Sequence, residues 1–303
     1  MKVGTFTKSV LLQIGRESGR FEQAGLDVQE ISVPSSPAQF ESLSAGDLDV
    51  AITSPDNVLA YRYLSANPLK RRMNVKILAA VDRGLGLSLC ISPEYQNVLE
   101  IKDLALGVDV PNSGFAFVAY GLLEKAGYSP RDYTIRTLGS TPKRAQALIA
   151  GDCNATILNA GNEIFALSQG CTKVSSVNEL GPYLGTVIAA IPSSSNEYRP
   201  GVAEFTSVML GIVQDIKNEK LKDEIVRISS TLLGLSPTLS EEHYKILLDR
   251  ENGLIPNGKI DRPSIQTLVR LRKKFLPTEE LDSILDSLTD LVGHQDLLLG
   301  VED

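Results

Sequence analysis

Ala45-Gly46-Asp47-Leu48-Asp49-Val50-Ala51-Ile52-Thr53-Ser54-Pro55-Asp56-Asn57 is the stretch that decides how the chain is read. Ala45-Gly46-Asp47 ends an amphipathic helix, with glycine where the backbone must leave right-handed helical geometry. Asp49 to Thr53 is a short, mostly apolar run of strand length, the kind covered on both faces of a parallel sheet. Ser54-Pro55-Asp56-Asn57 leaves that strand and opens a second helix, with Ser54 as N-cap and Pro55 at the first helical position. In open α/β sheets, small ligands bind at such turns beyond the carboxyl ends of strands.

The same pattern returns further along. Arg144 to Asn159 aligns with Gln39 to Ser54, Ala150 standing where Ala45 stands, a constant offset of 105 residues. Ala-Gly-Asp repeats, Asn154 replaces Asp49, Ile157 matches Ile52, and Asn159 takes the place of Ser54. One repeat of this length is not a solenoid period. It points to two similar α/β lobes, each offering a strand-exit loop with a small hydrogen-bonding side chain.

Outward from these units, the order of elements is βαβαβαβ, a crossover, a second α/β unit, a return strand and a helical tail. Lys2 to Phe6, Leu26 to Ile31 and Val75 to Val81 read as strands of the first lobe. Asp82-Arg83-Gly84-Leu85-Gly86 suits a crossover, since glycine absorbs backbone rotation at little steric cost. Leu87 to Ser92, Leu104 to Val108, Asp132 to Thr137 and Asn154 to Leu158 are strands of the second lobe. Gly185 to Ile191 returns to the first, and Pro192 to Asn196 is a loop. From Gly201 the pattern is helical, with Leu281, Ile284, Leu285, Leu288, Leu291 and Val292 marking an amphipathic C-terminal helix that packs on the first lobe. The domain reading is therefore 1–84 with 188–303 as lobe 1, carrying the tail, 85–187 as lobe 2, and a ligand cleft between them.

Composition narrows the function. The chain has 303 residues, 43% hydrophobic and 22% charged, enough for two lobes of about 150 residues. A formal charge of −7 and no basic stripe with interleaved aromatics argue against a nucleic-acid partner. Lys70-Arg71-Arg72 reads as a solvated turn. No run approaches the roughly 18 apolar residues of a membrane span. Met1-Lys2 leads directly into the first strand without a signal peptide, so the expected location is cytoplasmic if Met1 is the native start and extracytoplasmic if the chain is a trimmed mature form. Cys90, Cys153 and Cys171 are an odd count without metal-type spacing; Cys90 and Cys153 read as small core hydrophobes.

If the lobes face one another, the loops Thr7-Lys8-Ser9, Ser54-Pro55-Asp56-Asn57, Asp82-Arg83-Gly84, Asn112-Ser113-Gly114 and Asn159-Ala160-Gly161 converge on the cleft. Several are helix N-termini, where free backbone N–H groups and the positive end of the dipole favour an anion. Ser113 can cap while Gly114 lets a ligand approach the backbone, and either Lys8 or Arg83 could neutralise an acid. Asp56 and Asp82 read as solvated turn residues. Catalysis gets little support. His243 and His294 fall in the helical tail, away from these loops, and no nucleophile elbow, phosphate loop, dinucleotide fingerprint or metal-ligand spacing is present. No cofactor or metal is expected.

Glu17-Ser18-Gly19-Arg20-Phe21-Glu22-Gln23-Ala24-Gly25-Leu26-Asp27-Val28, together with Ala45 to Pro55, resembles the type 2 periplasmic-binding-protein fold. The nearest branch is that of alkanesulfonate, nitrate and thiamine-pyrimidine binding proteins, the SsuA/THI5-like group. The likeness runs to about Ile191. It implies an α/β fold of two lobes, each a mostly parallel sheet flanked by helices, closing over a small molecule. Carried over by position, the pocket would use Lys8, Ser9, Ser54, Asn57, Arg83, Gly84, Asn112, Ser113, Gly114 and Asn159. The implied function is a non-catalytic binder of a polar, acidic organic compound, similar to ABC-transporter substrate-binding proteins, with a membrane permease as partner in the transport version. The expected state is a monomer or weak homodimer. Two departures from the pattern bear on alternatives: the export signal of the transport members is missing, and so is the histidine and cysteine cluster of the fungal pyrimidine synthases. The alternatives are an enzyme on the same scaffold acting on a small aromatic or heterocyclic acid, and a cytoplasmic ligand sensor.

Overall fold

The computed structural model describes residues 1–193, 197–286 and 288–299. Of the expected loop Pro192 to Asn196, Ser194, Ser195 and Asn196 lie outside these. The strands of the two large sheets, in chain order, are β1 (Lys2–Thr5), β2 (Gln29–Ser32), β3 (Val50–Thr53), β4 (Lys76–Asp82), β5 (Ser88–Ile91), β6 (Leu104–Val108), β7 (Tyr133–Thr137), β8 (Ala155–Leu158), β9 (Thr172–Ser176) and β10 (Thr186–Ala190). They form two five-stranded sheets among the described residues, ordered β2-β1-β3-β10-β4 and β7-β6-β8-β5-β9. In each sheet the strand that follows a crossing, β5 or β10, runs antiparallel to both neighbours while the strands on its other side run parallel to one another. The polar run Thr172 to Ser176, not expected from sequence, is the edge strand β9; an edge strand can be polar because its outer side meets water. The second strand begins at Gln29 rather than Leu26; Val28 and Leu26 instead pack into the core beneath the first sheet.

The helices are α1 (Val10–Glu17), α2 (Arg20–Gln23), α3 (Ser36–Ala45), α4 (Pro55–Tyr63), α5 (Gly114–Lys125), α6 (Thr141–Ala150), α7 (Asn162–Ser168), α8 (Val202–Lys217), α9 (Lys222–Leu233), α10 (Pro237–Leu248) and α11 (Arg262–Phe275). The two matched units fold alike. Helices α3 and α6 each start with proline in the first turn and end at a glycine in the left-handed region, Gly46 at φ 81° and Gly151 at φ 78°. Each is followed by a strand buried along nearly its whole length, Val50–Thr53 and Ala155–Leu158. Phe40 and Tyr61, fully buried, stack at 4.0 Å between α3 and α4, so the exit of β3 is held by aromatic packing on that side.

The tail is not confined to the first sheet. Helices α8 and α9 pack on α1, whereas α11 packs on α5 of the second lobe. Its last segment is not the single helix expected. Glu279–Leu281 and Ile284–Asp286 are separate 3₁₀ turns and Leu288–Leu291 is one helical turn. Asp282, Ser283 and Asp286 between them are poor helix formers. The apolar residues still find the core: Leu281, Ile284, Leu288, Leu291 and Val292 are buried, and Val292 bridges to Ile77 at the edge of the first sheet. Among the described residues no helix is long and apolar enough to cross a membrane.

Candidate functional site

The carboxyl ends of β1, β3 and β4 face those of β6 and β8 across a cleft. Both repeat exits line it, Ser54 from the first lobe and Asn159 from the second. Hydrogen bonds cross between the lobes on either flank. The Ser36 N–H and Oγ donate to Asp109 at 3.2 and 2.6 Å, the Ser140 N–H donates to the Pro34 carbonyl at 3.1 Å, and Asn162 donates to Thr7 Oγ1 at 3.3 Å.

Of the residues expected in the pocket, Lys8, Ser9, Ser54, Asn57, Ser113, Gly114 and Asn159 line the cleft. Ser9, Ser54 and Ser113 are N-caps of α1, α4 and α5, accepting the backbone N–H of Leu12, Asp56 and Ala116. Three helix N-termini thus point at one space. Asn57 donates to Thr53 Oγ1 at 3.1 Å. Asn159 also serves the crossover: its amide donates to the Gly84 carbonyl at 3.0 Å, and Ala160 N–H, in left-handed backbone at φ 54°, donates to Leu85 O.

Three expected residues are not on the lining. Arg83 turns away to pair with Asp261 at 2.9 Å. Gly84 is taken up in the crossover, its N–H donating to Asp82 Oδ1 at 2.7 Å with φ at 117°. The Asn112 carbonyl accepts from Arg272 at 3.0 Å. Gly114 has a different reason for being glycine: a Cβ there would stand 2.6 Å from the side chain of Asp56.

The acids and cations are arranged otherwise than the sequence suggested. Lys8 is half-exposed and lies 4.0 Å from Glu30, which also accepts from Thr5 Oγ1 and Ser9 N–H. Asp56 and Asp82, expected as solvated, are both 1% exposed. Asp56 takes a two-pronged contact from Arg272, itself buried and stacked 4.7 Å over the Phe117 ring. Asp82 sits at the crossover; burial raises its carboxyl pKa to about 6, and Oδ2 has no partner among the described residues. The buried cation on the cleft lining is Arg144, 2% exposed. It donates to the Gly139 and Ile157 carbonyls and to Thr141 Oγ1, and the charge of Asp109 acts on it from beyond ion-pair distance. Burial lowers its pKa to about 10, leaving it charged at neutral pH. Its Nε makes no hydrogen bond among the described residues. The signal that could have found it was there: Arg144, Ala145 and Leu148 fall on the buried face of α6.

His243, expected to lie away from the site, also lines the cleft, because α10 folds back against α7. The three cysteines are buried free thiols, and no group of three or more potential metal ligands is assembled among the described residues.

Known structures with the same two-sheet arrangement are many. A protein from Bordetella bronchiseptica RB50 superposes with a TM-score of 0.76 at 17% identity, covering 98% of this chain and 95% of its own. The alkanesulfonate-binding protein SsuA from Xanthomonas axonopodis pv. citri, solved with MOPS, gives 0.69 at 14% identity, covering 98% and 97%. The periplasmic nitrate-binding protein NrtA from Synechocystis PCC 6803 gives 0.73 at 14% identity, covering 94% and 84%. A search of curated proteins returned no match. The architecture is the two-lobed periplasmic-binding-protein fold. A model of the NMT1/THI5 like family matches residues 7–218, spanning the first lobe's two helix-capped exits, the whole second sheet and the return strand. The chain therefore belongs to the NMT1/THI5 like family.

Proposed function

We propose that the protein binds a small organic acid between its lobes and holds it by closure, as the substrate-binding component of an import system does. The observation that carries this reading is Arg144, a buried guanidinium on the cleft wall with no carboxylate within ion-pair distance among the described residues. Burying a cation is costly; the nearby Asp109 charge offsets part of that cost, and an anionic ligand group would offset more. The capped N-termini of α4 and α5 add donors from both lobes. Relatives in fold that are named for binding alkanesulfonate and nitrate support an anionic ligand.

A ligand that touches both lobes binds the closed form better and shifts the population toward it. Shifting from 1:99 to 99:1 takes about 5.5 kcal/mol of differential binding. Two or three charge-assisted hydrogen bonds at about 1.5–3 kcal/mol each supply that. The moving bodies in this proposal are the first sheet with its flanking helices and the second sheet with its own, hinged at Gly84 and Gly86, both at positive φ, and at the return crossing before β10. In the transport version a membrane permease reads the closed form.

The test is made on the full chain with benzoate, hexanoate, sulfate and nitrate as probes. Expected is a rise in melting temperature and a smaller radius of gyration with at least one organic acid, both lost in Arg144→Gln. Unchanged melting and scattering with every probe at millimolar concentration would overturn the proposal.

A further inference from the structure

The cleft wall is part polar and part apolar. Arg144, Thr141, Asp109 and Ser113 face it from the second lobe. Val10, Leu11, Val81, Met209, Leu247 and Leu254 also line it, and these belong to the core that α1, α8 and α10 form against the first sheet. A bare inorganic anion at Arg144 would leave that apolar wall without a partner, whereas an organic body would bury it, at about 25 cal/mol per Å².

Among the lining residues that the tail supplies, Met209, His243, Leu247 and Leu254, only His243 is polar. It is 2% exposed, and its Nδ1 lies 2.9 Å from the Oγ of fully buried Ser229. That bond fixes the ring's orientation. The other nitrogen, Nε2, has no hydrogen-bond partner among the described residues. The residue itself lines the cleft. Burial lowers the imidazole pKa to about 4, so the ring is neutral at pH 7 and offers one donor and one acceptor. Whichever way the Ser229 hydroxyl points, Nε2 takes the complementary role.

We propose that the ligand is an organic anion with an apolar, ring-sized body, and that His243 reads a neutral hydrogen-bonding group on that body. This rests on the cleft being the ligand site with Arg144 holding the anionic group. Ser229 is a positioning residue for His243. The helical tail thus supplies a specificity contact as well as a buttress.

Calorimetry on the full chain with two probe pairs tests this: benzoate against 4-hydroxybenzoate, and 3-phenylpropanoate against 3-(4-hydroxyphenyl)propanoate. Expected is a preference of about five- to tenfold for the hydroxylated member of at least one pair, the worth of one neutral hydrogen bond. His243→Phe should bring that ratio to about one. His243→Gln, which keeps a hydrogen-bonding group at that place, should retain most of it. Arg144→Gln should weaken all four acids together and leave the ratio in place. A ratio unchanged by His243→Phe, or acids that bind through Arg144 with neither pair discriminated, would overturn the role of His243 and leave the binding function standing. Failure of all four acids at millimolar concentration would overturn the ligand class itself.

Discussion

The two matched units, Gln39 to Ser54 and Arg144 to Asn159, share a backbone and differ in chemistry. Their helix-ending glycines agree within a few degrees, at φ 81°, ψ 13° and φ 78°, ψ 12°. Asp49 accepts the Lys2 N–H at 2.7 Å where Asn154 accepts the Ala105 N–H at 2.9 Å, and in both the residue's own N–H returns a bond to that neighbour's carbonyl. Gln39 donates to the carbonyl of Ile52, and Arg144, its counterpart, donates to the carbonyl of Ile157, the counterpart of Ile52. One scaffold position is thus neutral in the first lobe and cationic in the second. Beyond the exits the divergence continues: Asp56 and Val58 answer to Gly161 and Glu163. The tail engages both places, with Arg272 on Asp56 and with Leu233, Leu235 and His243 around Gly161. Backbone geometry was kept because strand exits need it, while side chains were free to become a lock on one side and a ligand contact on the other.

The most disruptive way to break this comparison is at the lock. Arg272→Met should cost about 3–5 kcal/mol in urea denaturation, because Asp56 is left buried without its partner. Adding Asp56→Asn should recover most of the loss; no recovery would mean that Arg272 acts through packing on Phe117 alone.

Next comes the place where the first lobe has buried Val58 and the second has buried Glu163. Burial raises the Glu163 pKa to about 8 from 4.5, so the folded chain holds a proton that the unfolded chain releases. Stability should therefore fall as pH rises through that window, by about 3 kcal/mol between pH 5 and pH 8. Glu163→Gln, which mimics the protonated acid, should flatten the trend, gaining on the wild type at the alkaline end. Parallel stability curves for the two proteins would rule out this origin.

Making the halves alike at the scaffold position sharpens the comparison. Arg144→Gln should weaken organic-acid binding by about 10- to 100-fold, the worth of one or two charge-assisted bonds, while the glutamine takes up the Ile157 carbonyl as Gln39 does that of Ile52. A large collapse in stability with affinity intact would assign Arg144 a structural role.

The glycines give the smallest effects. At Gly161, φ 88° and a Cβ position 2.7 Å from Leu233 Cδ1 make alanine cost about 1–2 kcal/mol. At Gly151 the φ is similar but a Cβ meets nothing closer than 3.9 Å, so alanine should cost about 1 kcal/mol or less. Equal losses at the two sites would remove the close packing of the tail on Gly161 as a factor.

Much of the scaffold was legible along the chain. The helix, glycine, buried strand and capped exit of each unit follow from local chemistry: a proline in the first turn, a left-handed glycine, and an apolar run of strand length. The serines Ser9, Ser54 and Ser113 stood out because capping is a short-range property. Arg83 misled because a cation next to a crossover looks available, and its partner Asp261 is 178 residues away. Arg144 was hidden as an ordinary helix residue, although its place on the buried face marked it.

By itself, then, the sequence determined two related α/β lobes, their crossings and the loops that end at the cleft, because periodicity, caps and turns act over a few residues. Tertiary structure alone decided which charges meet. Asp56 and Arg272 are 216 residues apart, and His243 reaches the cleft only because α10 packs against α7. Whether a buried charge is a lock or a ligand contact depends on what lies within hydrogen-bond reach in space, a property that spacing along the chain does not carry.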